Sequence, residues 1–188
     1  MTEHAVDTPS ANDVLTFWFE ATKPSQWYRR DHAFDREIEN HFSKLHDAAA
    51  NGTLDTWQSE PQSALARIII LDQFSRNIFR DDPRAFAVDD LALAAARDAI
   101  TRDFDLQFPE QQQAFFLMPF MHAETLSVQK ESVQHFTNRQ PGRSNLSYAI
   151  EHHDIIEKFG RFPHRNKILG RQSTPEEIQY LETGGFNP

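Results

Sequence analysis

Apolar residues recur at spacings of three and four along nearly the whole chain, and no stretch alternates apolar and polar positions long enough to argue for a strand. The expected fold class is therefore all-α. A first helix should begin after Ser10, whose spacing to Asp13 matches a capping box, and it carries Val14, Phe17 and Trp18 on one side. A loop is expected from about Ala21 to Arg30. Asp31 can cap a second helix with the stripe Phe34, Ile38, Phe42 and Leu45, closed by Asn51-Gly52 where a left-handed turn would end it.

The third helix, from Pro61 to about Phe79, differs from these. Leu65, Ile68, Ile69 and Phe79 form one apolar sector, while Leu71, Phe74 and Ile78 form another almost opposite, as a central helix requires. Asp82-Pro83 leads into an alanine-rich helix, roughly Val88 to Arg102. Pro109 starts another, with Phe115, Phe116 and Met118, which Pro119 should kink or break. Helices from Leu126 to Phe136 and from Ser144 to Phe159 flank a turn at Pro141-Gly142. Thr174-Pro175-Glu176-Glu177 then caps a last short helix to about Leu181. No repeat or low-complexity segment divides the chain, so residues 1–188 should form a single domain of seven or eight helices, with about residues 1–11 loosely held.

Polar residues at core positions mark where chemistry could sit. Asp72 and Arg76 fall between Ile68 and Ile69 on the central helix, four residues apart and able to pair, with Gln73 and Asn77 a second such pair. His122 continues the stripe Phe115, Met118, Pro119, Leu126 and has Glu124 close by. His152 lies amid Tyr148, Ile155 and Phe159. The segment Lys158 to Arg171 carries Lys158, Arg161, Arg165, Lys167 and Arg171 with His164 and no acid. Such a segment either pairs with acids elsewhere or binds an anion, and its interleaved Phe159, Phe162, Pro163, Ile168 and Leu169 argue that it packs down.

Composition narrows the class. With 188 residues the chain can bury a substantial core, and 16 Phe and 10 Pro against 6 Gly suit rigid packed helices. There is no cysteine, hence no disulfide framework and no thiolate nucleophile. A net charge of −9 disfavours duplex nucleic acid. A mean hydropathy of −0.64 leaves no room for a membrane span, and Met1 to Asn12 lacks a signal-peptide pattern, so a cytoplasmic protein is expected. Phosphate-loop, dinucleotide and serine-hydrolase motifs are missing, as is the H-E-x-x-H metal motif; no cofactor or metal is expected.

The strings LDQFSRNIFR (Leu71 to Arg80), MPFMHAE (Met118 to Glu124) and FGRFPHRNKILGRQSTPEE (Phe159 to Glu177) resemble the bacterial helical family known as domain of unknown function 924. The resemblance spans about Val14 to Leu181. It implies an all-α fold similar to tetratricopeptide-like superhelices, and it implies no activity. Two functions are then open. In the first, a central pocket binds a small anionic molecule and acts on it. His122, His152 and His164 would be its acid–base groups, with Asp72, Gln73, Arg76, Asn77, Glu124, Arg161, Arg165, Asn166 and Arg171 as ligand-binding residues. In the second, the polar clusters are architectural and the protein is an interaction module for a peptide or a second copy, anchored by exposed Trp18, Trp27 or Trp57.

Overall fold

The structure, a computed structural model, describes residues 8–140 and 144–187, and among them every regular element is helical. Ser10 and Asp13 form the expected capping box and start α1 (Ala11–Thr16), which runs on through a π-helical turn, Phe17–Ala21. The expected loop after it contains a one-turn helix, α2 (Pro24–Trp27). Its cause is tertiary: Trp27 is buried, stacks on Trp18 with ring centroids 6.0 Å apart, and donates its indole N–H to the Trp18 carbonyl at 2.9 Å. Trp18 and Trp27 are thus core residues, and Trp57 is half-buried against the core, which corrects their expected role as exposed anchors.

Asp31 caps α3 (His32–Ala50) by accepting from the Ala33 and Phe34 amides. Gly52 ends the segment at φ +84°, the left-handed conformation in which a Cβ costs about 1–2 kcal/mol. Gly52→Ala should therefore lower unfolding free energy by about 1 kcal/mol in urea titration, since the added Cβ would also stand 3.3 Å from an Asp55 carboxylate oxygen.

The central helix forms as the two apolar sectors demand. It comprises α4 (Pro61–Ile69), a π-helical turn (Ile70–Phe74) and α5 (Ser75–Ile78), and Ile68 to Leu71 are completely buried. Around it lie α6 (Asp89–Thr101), α7 (Glu110–Met121), α8 (Leu126–Arg139), α9 (Ser144–Phe159) and α10 (Pro175–Glu182). With α4 and α5 taken as one helix, nine helices are present among the described residues, α2 being the one beyond expectation. Pro119 does not break α7 into two: it sits in the last turn, and the helix ends two residues later at Met121. The turn at Pro141-Gly142 and the first seven residues of the expected loose terminus lie outside the described residues.

One large hydrophobic cluster, from Val14 to Ala149 in sequence, joins α1, α3, α4, α6, α7 and α8. A smaller one around Ile155, Ile156 and Phe162 takes in Phe159, Tyr180 and Phe186 and seats the basic segment against the bundle. Among the described residues no helix is long and apolar enough to cross a membrane.

Candidate functional site

A cleft of about 310 Å³ opens where the start of α6, the end of α7 and the segment after Phe162 meet. Pro83, Phe86, Leu93, Pro119 and Leu169 supply apolar walls, and Asp89, Asp90, His122, Glu124 and Arg165 its charged and polar lining. That volume lies at the small end of the range for small-molecule sites.

Behind one wall is the π turn of the central helix. A π turn adds a residue to the helical repeat, and here it buries both Asp72 and Gln73. Asp72, 1% exposed, receives the Nδ1–H of His122 at 2.7 Å and the side-chain amide of Gln73 at 2.6 Å. Burial pushes the Asp72 carboxyl up, but His122 and Arg76 beside it outweigh that and bring it down to about 2, so it is a carboxylate. An ionised acceptor fixes the His122 proton on Nδ1. The His122 Nε2 makes no hydrogen bond among the described residues, and the ring lines the cleft. Arg76, expected to pair with Asp72, stands 3.4 Å from its Oδ1 and gives its two-pronged pairing to Asp89, at 3.0 Å for each contact.

Arg165 joins the lining from a 3-10 turn, Pro163–Arg165. Its guanidinium lies over the rings of Phe86 and Phe162, 4.5 and 4.6 Å from their centroids, and its side chain is 7% exposed. Nη2 donates to the His122 carbonyl at 3.0 Å. Nη1 stands 3.5 Å from Asp89 Oδ2 without forming a hydrogen bond, and Nε is buried with no partner among the described residues. Burial, reinforced by the nearby Arg76 charge, lowers the Arg165 pKa to about 10. One hydrogen bond for a group with five N–H donors is far below what a buried cation ordinarily makes.

The turn carrying Arg165 is held by two acids. Glu124 accepts the Phe162 amide at 2.7 Å and both Arg171 Nη atoms at 2.6 and 2.9 Å. Arg171 in turn binds the Asn166 side-chain oxygen and the Phe162 carbonyl. Glu177, 1% exposed, accepts Arg161 at 2.7 and 2.8 Å, Asn166 at 3.0 Å and the Thr174 amide at 2.8 Å. Arginine in forked pairing and carboxylates at both ends of the segment make it a rigid frame.

A family model described as bacterial protein of unknown function (DUF924) matches residues 14–185. The chain belongs to this family. A DUF924 chain of this kind is also similar to a solved structure, the protein of unknown function ATU0120 from Agrobacterium tumefaciens, with 44% identity and a TM-score of 0.88 over 93% of this chain and 97% of that one. No curated protein matches.

Of the residues singled out from sequence, this DUF924 chain places His122, Glu124 and Arg165 on the cleft, with Asp72 and Arg76 directly behind them. Gln73 reaches the site only through Asp72. Arg161, Asn166 and Arg171, expected to touch a ligand, are consumed by the Glu177 and Glu124 pairings and act as frame. Asn77 does not pair with Gln73; its amide binds Asp35 on α3, which also holds Arg80. His152 and His164, expected as acid–base groups, lie beyond Phe162. Each packs on Phe162 and Phe186, and the His152 ring is 6.5 Å from that of His122. Burial pushes their pKa values down to about 4 and about 3, so both are neutral at pH 7.

Sequence reasoning missed Asp89, Asp90 and Phe86. An acidic pair opening a helix is what the helix dipole favours anyway, so Asp89 carried no signal before Arg76 and Arg165 were placed beside it. The one imidazole–hydroxyl pair among the described residues, His46 Nε2 with Ser75 Oγ at 2.7 Å, is sealed in the core: Ser75 is completely buried and itself donates to the Leu71 carbonyl. Among the described residues the one group of three ligand-competent side chains close enough to share a metal is His153, Asp154 and Glu157 on α9, apart from the cleft.

Proposed function

We propose that the cleft binds a small molecule through a carboxylate or phosphate group, and that His122, oriented by Asp72, serves there as general base and acid. The observation that carries this reading is Arg165, a buried cation lining a cavity whose Nη1 and Nε make no hydrogen bond among the described residues. Such donors are worth far more to an anion than to a water, because the Arg165 side chain is 7% exposed and its guanidinium lies against the rings of Phe86 and Phe162.

The Asp72–His122 pair supplies the rest. With the Nδ1 proton held by Asp72, Nε2 carries the lone pair and can take a proton on the cleft side, the carboxylate then stabilising the imidazolium. Among the cleft-lining residues the one hydroxyl is the exposed Thr125, so the group deprotonated would be a water or the ligand itself.

Titration with inorganic phosphate and with short straight-chain carboxylates, followed by NMR of arginine Nε–H and histidine ring signals, tests this. Saturable shifts are expected at Arg165 and His122, with none at His41, which lies on α3. Absence of saturable change at Arg165 at millimolar anion would end the reading.

A further inference from the structure

The geometry points to a zwitterion as the ligand of this cleft: a small molecule with a carboxylate for Arg165, an ammonium for Asp90 and an apolar body, the chemistry of a free amino acid with a hydrophobic side chain. The inference rests on the assignment of Arg165 as the anion anchor and narrows it to a substrate class.

The charges around the cleft divide into those the protein satisfies and those it does not. Asp72 is paired with His122 and Arg76, both Asp89 oxygens are bound by Arg76, and Glu124 is bound by Arg171 and the Phe162 amide. What is left is one cation with unused donors, Arg165, and one carboxylate, Asp90, which makes no hydrogen bond or ion pair among the described residues. Asp90 is the second residue of α6 and exposed, so its side chain is open to a guest.

One unfilled site of each sign on the wall of one cavity is complementary to a molecule carrying one charge of each sign. Two further features agree. The protein carries −9, and its field opposes entry of a net anion but is indifferent to the net charge of a zwitterion. Phe86, Leu93, Pro119 and Leu169 form a wall that rewards an apolar side chain and that a bare dicarboxylate or inorganic phosphate would leave unused. His122 lines the same cavity with its Nδ1 held by Asp72, which leaves Nε2 to exchange a proton with the ligand or with water beside it.

The test is calorimetric titration of the wild type and Asp90→Asn with L-alanine, L-leucine and L-phenylalanine, each beside its deaminated counterpart: propanoate, 4-methylpentanoate and 3-phenylpropanoate. The wild type should bind at least one amino acid about tenfold or more tightly than its counterpart, the value of one charge-assisted hydrogen bond. Asp90→Asn should erase that preference while binding the deaminated acid as well as the wild type does or better. Circular dichroism of the variant should be unchanged, Asp90 being exposed. Equal binding of each pair by the wild type, or a preference that survives in Asp90→Asn, would overturn the inference and leave the Arg165 assignment standing. Failure of every acid to bind would remove both.

Discussion

Arg165→Met is expected to leave folding stability unchanged or to raise it by about 1 kcal/mol, while weakening phosphate or carboxylate binding by tenfold or more. The two halves of that result have one cause. Arg165 gives up its water for a single hydrogen bond to the His122 carbonyl and a loose approach to Asp89. Its pKa falls from the usual guanidinium value to about 10, so the folded state holds the charge less readily than the unfolded chain, a penalty present at every pH below about 10. Methionine keeps an unbranched side chain against Phe86 and Phe162 and removes the charge, and Arg76 continues to hold Asp89. Urea unfolding and anion titration of the same variant measure both halves. A loss above about 2 kcal/mol with affinity intact would make Arg165 a structural residue.

Glu177→Ala should behave in the opposite sense, costing about 3 kcal/mol in stability. It removes the acceptor shared by Arg161, Asn166 and the Thr174 amide, and Asn166 is itself 1% exposed, so its amide would be left buried with only Ser173. The hydrogen bonds from Arg161, supported by Thr174 and Asn166, hold the Glu177 carboxyl down at about 2. A depressed carboxylate pKa gives stability that is complete above about pH 4.5 and is lost as pH falls through about 2. His152 and His164 act over a higher window: buried neutral, they lose stability for the fold as pH drops below 6.5, where the unfolded imidazoles take protons. Acid unfolding of Glu177→Ala should therefore keep the histidine slope and lose the part at lower pH. Glu176→Ala, at the exposed neighbour, should change neither. A Glu177→Ala protein as stable as the wild type would show that the frame does not depend on this carboxylate.

The contrast between these two residues locates what was legible in the chain. Both lie in or beside the 158–171 segment, whose charge and interleaved aromatics mark it as packed and positive. Nothing in the linear pattern distinguishes Arg161, filled by Glu177, from Arg165, left unfilled, since pairing depends on which acid a fold brings within about 3 Å. The same holds for the central helix. Its two-sided apolar pattern predicts its place correctly, yet the even 100° wheel cannot show the π turn at Ile70–Phe74 that buries both Asp72 and Gln73 and hands Arg76 to Asp89.

Local chemistry alone therefore settles the helices other than α2, their caps at Ser10, Asp31 and Thr174, the left-handed stop at Gly52 and the buried stripes, because each follows from residues near one another in the chain. Packing decides the cleft. Asp72 meets His122 across 50 residues, and Arg165 meets the His122 carbonyl across 43, contacts whose geometry is set only when the whole core closes. Which charges are spent inside the protein and which are left facing the cavity is a property of those long-range meetings.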